Sequence, residues 1–387
     1  MLWTASIVRD LIVDLTLSQL RSMRPSERLH PRDLAQDFLT GTSSPYLDSL
    51  EVYQVAFRIA DFFELHRSGL DERLLHEVRV DAWVELVLEA RASFDETVTF
   101  QTSGSTGQPK RVVQRLDHLH REAAYWADRY QDRVRVDGTI PRHHLFGFVF
   151  GVLVPARLDA PYVDRRGSLP RGLLADSTPG RLLVTVPEVA AELVRSAVPA
   201  GPDLAIVTST APLNPAVQRA LTELGVVLAD HVYGSTETGG IGLRGAREEA
   251  FELLPFFECE QAGEQYRILD GGQALDVQDR LEPVLPRRFR VQGRLDAMVQ
   301  VGGHNVSLSF VRQKIEACPD VDAAAVRSEA ADAGSRIKAF VVPRTPGTEE
   351  AIRAFIGTHL PPEERPYSVT FGDALPTTEL GKPADWW

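Results

Sequence analysis

Thr102-Ser-Gly-Ser-Thr-Gly-Gln-Pro-Lys110 is the stretch that decides how this chain is read. It directly follows Thr97–Gln101, whose β-branched and aromatic residues predict a buried strand. Gly104 and Gly107 let backbone approach a bulky anion without a Cβ clash. Successive N–H groups, with the hydroxyls of Thr102, Ser103, Ser105 and Thr106, can then surround phosphate oxygens. The spacing is not the G-x-x-x-x-G-K-S/T of a Walker-type loop, because Lys110 follows Gly107 by three positions. A phosphate-binding turn of another kind is expected.

Outward from this loop the chain changes texture twice. Residues 93–295 alternate short apolar runs with helical stretches. Arg181–Val186, Leu204–Ser209 and Val226–Ala229 are expected as buried strands, with helices at His118–Tyr130, Glu188–Ser196 and Pro215–Leu224. Such alternation predicts an α/β fold whose sheet has a parallel component. Residues 296–387 read as a smaller α+β unit. Its expected strands are Met298–Val301, Ala323–Arg327 and Ala339–Pro343, and its helices Ser309–Ala317 and Glu349–His359. The charged link Arg290–Asp296 contains a glycine and has the character of a hinge. Residues 1–92 read as helical. Ile7, Leu11, Leu15, Leu17 and Leu20 share helical spacing, Asp48–Ser49 offer a cap to a second helix, and Ala82–Ala90 carry a third. Pro25 and Pro31 punctuate the loop between the first two.

With 387 residues, 43% of them apolar, there is ample material for a buried core in two or three domains. Lys plus Arg is 42 against 54 for Asp plus Glu, and the net charge of −12 argues against nucleic-acid binding. The chain also lacks the polybasic cluster of a membrane-surface protein. Cys259 and Cys318 are too few and too far apart for a disulfide framework or a zinc site. The pair His143–His144 has no third ligand spaced for a metal. The N-terminus carries acids early and has no small-residue cleavage site. The apolar run Leu145–Ala156 is broken by glycine and proline and is too short to span a bilayer. A reducing, cytoplasmic compartment is expected.

Five further segments carry chemistry. In Tyr233-Gly-Ser-Thr-Glu-Thr238, a carboxylate beside hydroxyls after a strand can hold Mg²⁺ while a hydroxyl meets an anionic phosphate. Gly293-Arg-Leu-Asp296 is followed by Met298-Val-Gln-Val-Gly-Gly-His304, a glycine-bearing hairpin. In Leu375-Pro-Thr-Thr-Glu-Leu-Gly-Lys382, a lysine on a glycine-flanked loop can swing into a closed site and neutralise developing charge. Pro141-Arg-His-His-Leu-Phe-Gly147 offers a histidine and aromatic rings, and Ser209-Thr-Ala-Pro-Leu213 a turn after a strand.

The phosphate loop, Tyr233–Thr238, Gly293–His304 and Leu375–Lys382, in this order along the chain, resemble the acyl-adenylate-forming superfamily, and Pro141–Gly147 and Ser209–Leu213 match it too. Its members include acyl-CoA and aryl-CoA synthetases, peptide-synthetase adenylation domains and luciferases. The resemblance covers about residues 95–387 and implies a large AMP-binding domain, here shortened, with a small mobile C-terminal domain. It implies ATP and Mg²⁺ as cofactors. Thr102–Gly107 and Lys110, with Gly234 and Ser235, would cradle the nucleotide, Thr236 would contact the α-phosphate and Glu237 would bind Mg²⁺. Tyr233 would lie along the adenine or the acyl pocket. Arg294 would meet the ribose together with Asp279, or alternatively Asp276. Asp296 would be the pivot, Gly302 and Gly303 would border the thiol path, and Lys382 would be catalytic. His144 would be the equivalent of a family histidine beside the acyl pocket, as a catalytic residue or, alternatively, as a structural hydrogen-bonder. Phe146, Gly147, Phe148, Ser209, Ala211, Tyr233 and Gly239 would line that pocket.

The implied reaction is attack of a carboxylate on the α-phosphate of ATP, followed by acyl transfer to a phosphopantetheine thiol. The compact architecture resembles ligases that open aryl polyene or xanthomonadin-type pathways, which load an aromatic acid such as a hydroxybenzoate onto an acyl carrier protein. Free CoA is the alternative acceptor. A non-catalytic nucleotide-binding module and an amide-forming ligase are the rival readings. About a hundred residues precede the phosphate loop, fewer than the family usually carries, which leaves a homodimer open. Leu47-Asp-Ser-Leu-Glu-Val52 resembles the D-S-L site of acyl carrier proteins, with Ser49 as the attachment point. The favoured reading of the same residues is a capped helix of a trimmed N-terminal subdomain.

Overall fold

The computed structural model describes residues 2–24, 47–76, 78–103, 109–262, 265–294, 298–301, 304–331, 334–376 and 386. By packing, the chain divides once, into Met1–Leu254 and Pro255–Trp387. The motif-based boundaries at 92/93 and 295/296 are not where the packing divides.

The first unit opens with three helices, α1 (Ala5–Met23), α2 (Ser49–Phe63) and α3 (Val80–Ser93). α2 begins at the residue that its cap dictates. The Asp48 carboxylate accepts from the Glu51 N–H, and the Glu51 carboxylate accepts from the Asp48 N–H, both at 2.9 Å. One face buries Val55, Ala56, Ile59, Phe62 and Phe63. Near its end, Asp61 accepts from Gln101 at 2.8 Å, and Glu64 accepts from Thr97 and Thr99 at 2.7 and 2.9 Å. The helices therefore pack on the strand that leads into the phosphate loop.

That strand, β1 (Thr97–Ser103), is not part of the main sheet. It pairs antiparallel with β2 (Pro109–Arg115), from Thr97 opposite Arg115 to Ser103 opposite Pro109. Pro109 and Lys110 are thus the first residues of a strand, not the end of the loop as the motif suggested. A proline is tolerated at a strand's first position, and Val112-Val113 favour extension.

α4 (Leu116–Arg129) leads to the main sheet, formed by β3 (Arg135–Gly138), β4 (Tyr162–Asp164), β5 (Arg181–Thr185), β6 (Ala205–Thr208), β7 (Leu228–Ser235), β8 (Gly239–Arg244) and β9 (Phe251–Leu253). Their order is β4-β3-β5-β6-β7-β8-β9. Pairing is parallel as far as β7 and antiparallel beyond it. The apolar run 145–156 forms α5 (Leu145–Phe148), a π-type turn (Val149–Leu153) and most of α6 (Val154–Leu158), largely buried in this unit. α7 (Pro170–Leu174), α8 (Pro187–Arg195) and α9 (Pro215–Glu223) complete the crossovers. Among the described residues, no helix is long and apolar enough to cross a membrane.

β5 and β6 are buried end to end, as their apolar runs predict. β7 starts two residues later than its apolar run suggested and continues to Ser235, because its polar residues have partners inside. Asp230 accepts from Arg129 at 2.6 and 2.9 Å and from the Tyr130 hydroxyl at 2.7 Å. His231 Nδ1 lies 3.0 Å from Thr208 Oγ1.

Burial, reinforced by the Arg244 charge, pushes His231 down to about 3, so the folded ring is neutral. An unfolded histidine titrates near ~6.5. Between these values the unfolded chain binds more protons, so this stability is present above pH ~6.5 and is lost as pH falls toward ~3. Its expected slope is about 1.4 kcal/mol per pH unit. Urea midpoints of wild type and His231→Phe, at about pH 7.5 and about pH 5, test this: acidification should cost the variant less.

In the second unit, β10 (Glu258–Ala262), β11 (Gln265–Asp270) and β12 (Gln273–Ala274) form one small sheet, and β13 (Asp279–Leu285) pairs antiparallel with β14 (Arg288–Arg294). β15 (Met298–Val301) and β16 (His304–Ser307) form a hairpin ahead of α10 (Leu308–Glu316). β17 (Val321–Ala331), β18 (Gly334–Pro343) and β19 (Ser368–Phe371) make the last sheet, with α11 (Glu349–His359) between β18 and β19. Val311 and Ile315 of α10 and Ile352 and Ile356 of α11 share a core with Ile337, Ala339 and Val341 of β18. Arg290–Arg294, expected as a link, is strand. Its alternation lets Phe289 and Val291 pair across to Pro283 and Leu281.

Candidate active site

In the first unit, β2 presents Lys110, Val112 and Gln114 on one face by strand alternation. Lys110 Nζ lies 3.0 Å from Glu237 Oε1. Gln114 Nε2 donates to the carbonyls of Thr236, at 2.6 Å, and Glu237, at 2.9 Å. The strand that follows the phosphate loop is thus tied to the turn between β7 and β8.

That turn closes on itself. The Ser235 N–H donates to Thr238 Oγ1 at 3.1 Å, and the Thr238 N–H donates to Ser235 Oγ at 3.3 Å. Beyond it Gly239 sits at φ +72°, and a Cβ on Gly240 would lie 2.4 Å from Glu122 Oε1. Glu122 is buried on α4 and accepts from the Gly240 N–H and Trp126 Nε1–H, both at 3.0 Å. Burial raises its pKa against those two bonds.

The Glu237 side chain is 23% exposed. Burial opposes its ionisation, but hydrogen bonds from Lys110, its own backbone N–H and Ser235 hold the carboxyl below the ordinary range. Among the described residues, no three His, Cys, Asp or Glu gather into a closed metal site. One ionised, partly exposed carboxylate flanked by hydroxyls fits a Mg²⁺ that takes its other ligands from phosphate and water.

At the end of β6, Ser209 Oγ donates to the Val232 carbonyl at 2.9 Å. Thr210 follows at φ +84°, a left-handed conformation that strains a β-branched residue. Ala211 is half-buried, as is Tyr233, whose ring packs 5.5 Å from that of Phe251. His144 stands just ahead of α5, its side chain exposed, its ring 4.4 Å from that of buried His143. Surrounding protein and the Arg58 charge keep His144 below its usual pKa. Phe146 is half-buried beside Phe150. Gly147 packs so closely that a Cβ would lie 2.1 Å from the Pro141 carbonyl oxygen. Phe148 departs from expectation. It is fully buried among Trp3, Phe62 and Phe100, with ring centroids 5.7–6.1 Å away, so it packs the core. Ser49 is exposed at the first position of α2.

In the second unit, Asp279 stands opposite Arg294 across β13–β14, and Asp276 accepts from Gln278 at 2.6 Å. Thr102 and Ser103 are placed as backbone of β1. Gly104, Ser105, Thr106, Gly107, Asp296, Gly302, Gly303 and Lys382 lie outside the described residues, as do Pro25 and Pro31.

The AMP-binding enzyme family matches residues 65–278, and the C-terminal domain of AMP-binding enzymes matches residues 313–382. The chain belongs to the AMP-binding enzyme family. A protein of Rhodobacter capsulatus named 4-coumarate–CoA ligase is 36% identical over 98% of this chain and 100% of its own length. Another of that name, from Halorhodospira halophila, is 34% identical over 97% of this chain and 100% of its own length. The o-succinylbenzoate coenzyme A synthetase of Bacillus subtilis, solved with ATP and magnesium, superposes with a TM-score of 0.59 at 18% identity. That match covers 74% of this chain and 68% of the other, and it is a likeness of fold.

In this AMP-binding enzyme the structure brings Lys110 to the Thr236–Glu237 turn, with 127 positions between Lys110 and Glu237. Sequence reasoning missed Gln114 and Glu122. The period-two pattern after Lys110 was the signal for the first. For Glu122 it was an acid on the same helical face as Leu119, Ala123 and Trp126.

Proposed function

We propose that this protein is an ATP-dependent ligase that adenylates an aromatic carboxylic acid and passes the acyl group to a phosphopantetheine thiol, with CoA as acceptor. The observation that carries the reading is the ionised Glu237, held by Lys110 at a hydroxyl-rich turn. The names of the full-length relatives supply the acid class and favour CoA over the carrier protein that the pigment-pathway resemblance implied.

Mg²⁺ held at Glu237 would supply Lewis-acid stabilisation of phosphate charge. Thr236 would donate its hydroxyl to the α-phosphate, while Tyr233 flanks the adenine. Asp279 and Arg294 would hold the ribose, and Asp296 would serve as the pivot. Lys382 would neutralise the charge that develops between the attacked phosphate and the carboxylate. His144, neutral by its depressed pKa, would border the acyl pocket with Phe146 without adding charge to it.

Acid-dependent ATP–pyrophosphate exchange over hydroxybenzoates, cinnamates and fatty acids tests the first half. Exchange is expected with the aromatic acids, and thioester with CoA in the second half. Exchange with fatty acids alone overturns the acid class. Thioester on an acyl carrier protein but never on CoA overturns the acceptor.

A further inference from the structure

We propose that Gln114 is a positioning residue for the Thr236–Glu237 turn: its amide fixes where the Glu237 carboxylate is held. The proposal rests on the nucleotide and metal roles given above to Thr236 and Glu237.

Gln114 is buried on β2, and its Nε2 donates to two successive carbonyls, Thr236 at 2.6 Å and Glu237 at 2.9 Å. The Thr236 carbonyl belongs to the peptide plane before the Glu237 Cα, and the Glu237 carbonyl to the plane after it. Peptide planes are rigid, so pinning both fixes the direction of the Glu237 Cα–Cβ bond. Four residues earlier on the same face, Lys110 reaches the carboxylate itself at 3.0 Å. β2 therefore holds both the root and the tip of Glu237.

The other end of the turn is held separately. Glu122 takes the Gly240 N–H at 3.0 Å, and the Ser235–Thr238 bonds close the turn internally. Gln114 is what ties the turn's carbonyls to the strand that leaves the phosphate loop. Without it the carboxylate keeps its charge but loses its aim. Residues that orient a metal ligand are worth about 10–100-fold in metal affinity.

The test is ATP affinity by calorimetry, with and without Mg²⁺, on the full chain, together with thermal melting. Wild type, Gln114→Leu and Gln114→Glu are compared. Leucine removes the donor at similar volume, and glutamate turns an acceptor toward two carbonyl oxygens. Mg²⁺ is expected to tighten ATP binding in wild type. Both variants should lose about tenfold or more of that enhancement, while ATP binding without metal stays within about threefold. Where a variant melts early, Gln114→Asn replaces it. That variant keeps the amide but draws it back by about 1.5 Å, and the same loss is expected. A folded variant with the wild-type enhancement overturns the proposal. So does an equal loss with and without Mg²⁺, which marks general scaffolding. A wild-type protein without Mg²⁺-dependent ATP binding overturns the nucleotide reading itself, and this proposal with it.

Discussion

Glu237→Gln is expected to lower acid-dependent ATP–pyrophosphate exchange by about two to three orders of magnitude while leaving the fold intact. The substitution keeps shape and one carbonyl oxygen toward Lys110, so it removes charge and little else. The cost to stability is small because the ion pair is wet. Its Lys110 side chain is 57% exposed, and such pairs contribute about 0–1 kcal/mol. The cost to chemistry is large because, on the proposed reading, this carboxylate would hold the Mg²⁺ that offsets the charge developing on the phosphates. Exchange rate and melting temperature are measured on the same preparation. A folded variant that exchanges within about threefold of wild type removes Glu237 from the mechanism.

Arg181→Leu is expected to show the reverse pattern, a large loss of stability in the first unit with no direct effect on the site. The guanidinium is fully buried and spends its donors inside. It donates to Asp137 Oδ2 and the Leu173 carbonyl at 3.1 Å, the Thr178 carbonyl at 3.2 Å, the Leu174 carbonyl at 3.3 Å and the Asp176 carbonyl at 3.0 Å. Leucine fills the volume but takes the guanidinium donors from the Leu173, Thr178 and Asp176 carbonyls, while the Leu174 carbonyl keeps the Gly201 N–H at 2.8 Å. Asp137 keeps Arg135 as a partner at 2.8 and 2.9 Å, which softens the loss. Breaking a buried pair in this way costs about 3–5 kcal/mol, against a typical stability of about 5–15 kcal/mol. Urea unfolding of wild type, Arg181→Leu and Arg181→Lys checks it. Lysine keeps the charge but not the fork, so it too should unfold early. A wild-type midpoint in Arg181→Leu would mean that the carbonyls find other donors.

Local signals made much of this fold legible. Asp48 and Glu51 write the start of α2 into the sequence, and Met298–Val301 and Glu349–His359 occur as elements with the expected ends. The family motifs made the turn at Thr236–Glu237 legible too. The misreadings arose where a motif spoke louder than periodicity. The phosphate-loop signature absorbed Pro109 and Lys110, and β2 was lost with them. What Gln114, Glu122 and Arg181 bond to was illegible for a different reason. Their partners lie 122, 118 and 44 residues away for the bonds to Thr236, Gly240 and Asp137, and no local pattern encodes such a pairing. Phe146 and Phe148 lie two residues apart, yet one is half-buried and the other sealed in the core. Helical context, which sequence alone did not supply there, separated them.

Thr210 has one more consequence. At φ +84° it occupies a backbone conformation that glycine, asparagine or aspartate would adopt with less strain. A lineage screened only for heat resistance would drift toward those residues at this position. With Ser209 and Ala211 bordering the acyl pocket, as the family resemblance implies, a lineage screened for turnover would have reason to keep the orientation that the threonine imposes on them. Position 210 is therefore a place where the two kinds of selection pull apart, and where a thermostable descendant would first reveal what it had been selected for.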